Sequence, residues 1–152
     1  MAVLDTEKYL DAVCRMIEEG HSQVPVPIQG NSMRPFLRNA DFAYLVPLPE
    51  QVRKGDMILF RRRNGQYVLH RVYKIYPGGG YLMLGDSQLE PEPVVQEQLR
   101  AKVSHVRSAG QILKPGDFRW WFFEKPWLLL APWRPQIARL LALFRKKSTP
   151  AQ

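Results

Sequence analysis

The sequence predicts a mainly β protein: a coiled, partly closed antiparallel β domain, with a short N-terminal helix before it and a C-terminal aromatic-basic helical segment after it. Three observations predict this. Thirteen prolines in 152 residues argue against an all-helical bundle. Between Val24 and Val106, short apolar runs alternate with strong turn signals: Lys54-Gly55-Asp56, Asn64-Gly65 and Pro77-Gly78-Gly79-Gly80. After Gly116 the composition changes abruptly to crowded aromatic and basic residues. The expected divisions are therefore 1–23, 24–116 and 117–152.

Each element has a local reason. From Thr6 to Glu19, the residues Leu10, Val13, Cys14 and Ile17 recur at helical spacing. Asp5 or Thr6 can cap this helix and Gly20 can end it. Val24 to Ile28 alternates Val and Pro and reads as extended. Asp41 to Val46 reads as a strand closed by Pro47 and Pro49. Met57–Arg61, Tyr67–Ile75, Tyr81–Leu84 and Leu99–Val106 read as further strands. In the last segment Trp120, Trp121, Phe122, Phe123 and Trp127 precede Leu128-Leu129-Leu130, and Ile137 to Phe144 reads as a short helix. Arg134, Arg139, Arg145, Lys146 and Lys147 surround it with positive charge. This pattern fits a membrane-surface segment and a protein-packing helix equally.

The formal net charge of +8 favours anionic partners without choosing among them. Cys14 is the single cysteine, so an intramolecular disulfide is excluded. Met1 to Gly20 carries Asp5, Glu7, Asp11, Glu18 and Glu19 and has no apolar core, which excludes a secretory signal there. No stretch reaches the ~18–20 apolar residues of a spanning helix. A location in the cytoplasm or at the membrane periphery, with no N-terminal signal or transmembrane anchor, is expected. The histidines and the lone cysteine have no zinc spacing, so neither metal nor cofactor is expected.

Three residues stand out chemically. Ser32 follows Gly30-Asn31, which permits a tight backbone, and precedes Met33 and Pro35. A serine hydroxyl becomes a nucleophile only with a base to take its proton and backbone donors for the oxyanion. On local grounds alone most such Gly-Asn segments are plain turns. His70 lies in a strand where alternation sets it with Val68, Val72 and Lys74. Partial desolvation there keeps the imidazole neutral and able to accept a proton, although a lone histidine in such a strand is more often structural and hydrogen-bonded to a neighbour. Asp86, in Leu84-Gly85-Asp86-Ser87, either supports its loop or orients the imidazole as a triad acid does.

Taken together, these residues resemble the type I signal peptidase family, within the wider signal peptidase/LexA-like group. Gly30-Asn31-Ser32-Met33-Arg34-Pro35-Phe36-Leu37 resembles its Gly-x-Ser-Met-x-Pro-x-Leu box. Lys54-Gly55-Asp56-Met57-Ile58-Leu59-Phe60, Leu69-His70-Arg71-Val72 and Leu84-Gly85-Asp86 are similar to its following boxes and stand in the same order. Histidine at position 70 places the resemblance with the endoplasmic-reticulum and archaeal branch. Phe36 and Ser87 depart from the residues common there. The resemblance implies a serine endopeptidase acting on signal or leader peptides through an acyl-enzyme. Ser32 would be the nucleophile, His70 the base and Asp86 the acid. The Ser32 N–H and Gly30 would lie at the oxyanion site, and Met33 and Pro35 beside the substrate. The implied partner is a peptide or preprotein, with possible membrane contact through the C-terminal segment and no specific nucleic acid. The alternative function is a non-catalytic peptide-binding or membrane-surface module on the same fold.

Overall fold

The computed structural model describes residues 3–148, with side chains from 6 to 145; the side chains of Asp5, Lys146 and Lys147 lie outside the described residues. Helix α1 spans Val3–Glu18. It ends where Gly20 turns to a φ of 100° and the His21 N–H bonds back to the Met16 carbonyl, the left-handed cap expected of a glycine. Its apolar stripe, Val13, Cys14 and Ile17, is buried on the sheet.

Among the described residues eight antiparallel strands follow: β1 Val24–Pro27, β2 Phe42–Val46, β3 Met57–Arg61, β4 Tyr67–Ile75, β5 Gly80–Leu84, β6 Glu92–Val95, β7 Leu99–Ser108 and β8 Gln111–Leu113. Their lateral order is β1-β2-β7-β3-β4-β5-β6, with β8 also on β7. The long β7 is the spine. Its first half pairs with β3 and its second half with β8, while β2 lies along its other side. The fold is therefore mainly β, as the turn signals predicted.

Two hairpins close in the same way. The Gly65 N–H bonds the Arg62 carbonyl and the Gly79 N–H bonds the Tyr76 carbonyl, with both glycines at positive φ. At the start of the sheet, Ile28 exchanges bonds with Asp41 and Ala40. By alternation, Val24 and Val26 also point their backbone groups toward β2, and Pro25 and Pro27 point theirs outward. The outer edge of β1 is thus stripped of N–H donors at both positions.

The sheet buries a cluster on each face. One gathers Met33, Phe36, Leu37, Leu45, Leu59 and Val103 with α1 and with Trp120 and Phe123 from the C-terminal region. The other gathers Ile58, Phe60, Val72, Met83 and Val94.

The C-terminal segment forms α2 (Phe118–Glu124), α3 (Pro126–Leu129) and α4 (Arg134–Ser148), with a 3-10 turn at Ala131–Trp133. Part of its aromatic crowd is core: Trp120 and Phe123 pack on Phe36 at ring separations of 5.7 and 5.4 Å. Helix α4 is longer than the Ile137–Phe144 expected from periodicity. Among the described residues no helix is long and apolar enough to cross a membrane.

Candidate active site

The loop between β1 and β2 carries Ser32. Its base is pinched by the Ile28–Asp41 bonds, and its interior is nailed down by side chains with almost no exposure: Met33, Phe36 and Leu37. Arg119 of α2 donates from Nη2 to the carbonyls of Pro35 and Phe36, both at 2.8 Å. From the other side, the loop after β5 docks on it. The Ser87 N–H bonds the Ser32 carbonyl at 2.9 Å, and Ser87 Oγ donates to the Asn31 carbonyl at 2.8 Å. That docking needs Gly85, where a Cβ would stand 2.5 Å from the Ser32 carbonyl oxygen.

Ser32, partly exposed, opens onto a cleft of about 400 Å³ that His70 also lines. The floor is apolar, with Val26, Ile28, Met33, Leu45, Leu59 and Leu69. The Ser32 hydroxyl makes no hydrogen bond to the imidazole, and among the described residues its N–H has no acceptor in the protein. Free donors at a nucleophile are what an incoming oxyanion requires. Resting enzymes often hold their reacting groups apart until substrate is bound.

One wall of the cleft is an unpaired strand edge. Strand β5 pairs with β4 only from Arg71 onward, while β3 covers the other side of β4 from Tyr67 to Arg71. Val72 points its N–H and carbonyl to the β3 side, at Asp56 and Gly55. By alternation, Tyr67 and Leu69 turn theirs the other way, where no strand lies among the described residues. An extended peptide can complete this edge beside His70.

His70 is buried, 1% exposed, edge-on to Phe60 at 5.8 Å. Burial lowers its pKa to about 4, against a raising pull from Glu92 and a further lowering by Arg62. The ring is therefore neutral at neutral pH and available as a base. Nδ1 is buried without a hydrogen-bond partner, 3.8 Å from Glu92 Oε1. Glu92 is itself held by Arg62, whose Nε and Nη2 donate to its two oxygens at 3.0 and 2.7 Å; Arg62 Nη1 donates to Gln66.

Asp86, expected beside the imidazole, is engaged elsewhere. It is fully buried and accepts from Arg71 Nε at 2.8 Å, while Arg71 Nη1 reaches the Gly55 carbonyl. Strand parity is the reason. His70 and Arg71 are adjacent, so they project from opposite faces. Arg71 is opposite Leu84, two residues before Asp86, whereas Val72, Met83 and Glu92 align across β4, β5 and β6 on the face of His70. Burial pushes the Asp86 carboxyl up, and Arg71 and Arg134 pull it back down. Its backbone carbonyl accepts Trp127 Nε1 at 2.7 Å, and Arg134 Nη1 donates to the carbonyls of Gly85 and Gln88 at 2.9 and 3.0 Å. Asp86 thus braces the loops around the serine.

Two other expectations change. The Gly30 N–H, with Gly30 at a φ of 86°, is turned back onto Asn39 Oδ1 at 3.3 Å and is not free for an oxyanion. Pro35 lies outside the cleft, its carbonyl held by Arg119, whereas Met33 does line the cleft.

A family model described as Peptidase S24-like matches residues 1–104. The chain belongs to the Peptidase S24-like family. The matched span of this S24-like chain holds Ser32, His70, Asp86 and Glu92, and it stops within β7, before β8 and the C-terminal helices. Membership in the S24-like family supports a serine-peptidase type of activity in general terms. The match is to the S24-like family as a whole and singles out no signal peptidase branch. No curated protein matches the chain.

Glu92 and Arg62 were missed by sequence reasoning. Glu92 sits in Glu90-Pro91-Glu92-Pro93, where two prolines mask a four-residue strand. The readable signal was the alternation Glu92-Pro93-Val94, once a strand is allowed at a sheet edge, where proline is tolerated.

Proposed function

We propose that this S24-like protein is a serine endopeptidase that cuts an extended segment of a signal or leader peptide, with Ser32 as nucleophile, His70 as general base and Glu92 as the residue that positions the imidazole. The observation that carries the reading is the shared cleft: a partly exposed serine and a buried neutral histidine open onto one apolar groove with an unpaired strand edge along its wall. The substrate chain pairs with Tyr67 and Leu69 and sets its scissile carbonyl at Ser32. The Ser32 Oγ proton passes to His70 Nε2 as oxygen attacks the carbonyl carbon. The Ser32 N–H faces the oxyanion. The C–N bond then breaks, His70 gives its proton to the leaving amine, and water releases the acyl group by the same route. Glu92, 3.8 Å from Nδ1, stabilises the imidazolium in both transition states. The apolar floor favours aliphatic side chains before the cut, and the motif resemblance to signal peptidases suggests small ones.

The test is covalent labelling read by intact mass, with a fluorophosphonate and with a peptidyl acylating probe bearing a small residue at the cleavage position. One adduct, absent from Ser32→Ala and His70→Ala, is expected. A folded protein that takes no adduct from either probe would instead favour a module that binds peptides without cutting them.

A further inference from the structure

Helix α4 extends away from the domain with its apolar side uncovered. Leu140, Leu141, Leu143 and Phe144 are each more than half exposed, as is Trp133 in the turn just before the helix. From Ala138 to Phe144 every residue is exposed. A helix of 15 residues is marginal in water without a surface to pack on. An apolar row of this size on a soluble surface marks a contact site.

The charge says which surface. No aspartate or glutamate occurs after Glu124, while Lys125, Arg134, Arg139, Arg145, Lys146 and Lys147 are all cationic. On a helical wheel Ile137, Leu140, Leu141 and Phe144 fall in one arc, and Arg139 and Arg145 lie outside it. A two-fold contact with a second copy would set these cations against each other with no acid on the segment to pair them. At ~1.5 Å per residue the helix is about 22 Å long, shorter than the ~30 Å hydrocarbon core, so it can lie in a membrane interface but cannot span one.

We infer that α4, with Trp133 at its root, is an in-plane docking helix for an anionic lipid surface. Its leucines and Phe144 sit below the headgroups and its arginines among them. The root of the helix is also the brace of the site, because Arg134 holds the Gly85 and Gln88 carbonyls. Docking therefore fixes the cleft at a set distance from the bilayer. This inference does not depend on the peptidase reading, and Ser32→Ala protein is expected to dock as well as the wild type.

Vesicle flotation of the full chain tests it, with phosphatidylcholine vesicles alone and doped with phosphatidylglycerol. Flotation with the anionic vesicles is expected, at least about tenfold weaker on neutral ones and at least about tenfold weaker for Leu141→Ser/Phe144→Ser. Both replaced side chains are exposed, so that variant should keep the wild-type thermal transition and Ser32 labelling. Failure of folded wild type to float with anionic vesicles would overturn the inference. So would flotation indifferent to lipid charge or to the double substitution. A concentration-dependent dimer by sedimentation, dissolved by the same substitutions without any flotation, would assign the face to a second copy and equally overturn it.

Discussion

Replacing Glu92 by glutamine removes one charge from beside the imidazole and little else, since glutamine keeps the length and can still accept a bond from Arg62. Its effect can be worked from the geometry. An imidazolium and a carboxylate 3.8 Å apart attract by ~4 kcal/mol at an effective dielectric of about 20. Arg62 shares the same carboxylate at 2.7 Å and Glu92 is 30% exposed, which together reduce this by roughly half, to ~2 kcal/mol. Because His70 is neutral at rest and charged only as it takes the serine proton, that energy is lost from the transition state alone. The plateau rate of Ser32 acylation should fall about thirtyfold. A second readout separates charge from structure. Glu92 raises the imidazole pKa, so the acidic limb of the labelling profile, expected near 4 in the wild type, should move lower in Glu92→Gln. The assay is the rate of adduct formation across pH. An unchanged plateau with the limb still near 4 would refute the positioning role. An unchanged melting transition is expected alongside.

Three further outcomes follow from the same geometry. Asp86→Asn should cost roughly 3 kcal/mol in urea unfolding, because Arg71 stays buried beside a neutral partner, while the acidic limb of labelling stays where it is. A shifted limb would return Asp86 to the imidazole. Gly85→Ala should lose both Ser32 labelling and about 1–3 kcal/mol of stability, since its Cβ would stand 2.5 Å from the Ser32 carbonyl oxygen; a silent substitution would contradict the docking of the two loops. His70, depressed from 6.5 to about 4 in the fold, contributes stability that is complete above its unfolded pKa and is lost as pH falls through its folded one. That loss amounts to about 3 kcal/mol between those values, and thermal melts of His70→Gln should show a correspondingly shallower acid dependence.

How much of this was legible in the sequence depends on the range of the signal. Turn residues act locally, so Asn64-Gly65, Gly79 and Gly20 marked their hairpins and helix end without tertiary help. Six of the strands were readable because their apolar runs are flanked by such signals. β6 and β8 were not, being three or four residues long and, in β6, interrupted by proline. Ser32 and His70 were visible as motifs, but the acid was not. Choosing between Asp86 and Glu92 requires the lateral register of three strands, and register depends on pairing at a distance rather than on neighbours in the chain. The aromatic crowd from Trp120 to Trp127 fits a membrane surface and protein packing equally when read from sequence. The fold splits it, sending Trp120 and Phe123 inward to meet Phe36 and leaving Phe118 and Trp121 outside. Composition cannot make that division, because both groups are equally apolar.

The prolines at the two ends of the sheet carry a consequence for handling the protein at high concentration. Pro25 and Pro27 face outward on β1, and Pro93 does the same on β6, where the Val95 N–H also turns away to Gln98. A strand edge without donors is a poor template for fibril growth, so neither terminal strand can recruit a neighbour's strand into a continuous ribbon. Under the proposed pairing of a guest chain at Tyr67 and Leu69, the sheet has to refuse guests at its ends, or its own unfolded copies would compete for the same hydrogen bonds. Replacing Pro25 and Pro27 with threonine is where amyloid-type dye binding and loss of soluble yield should first appear.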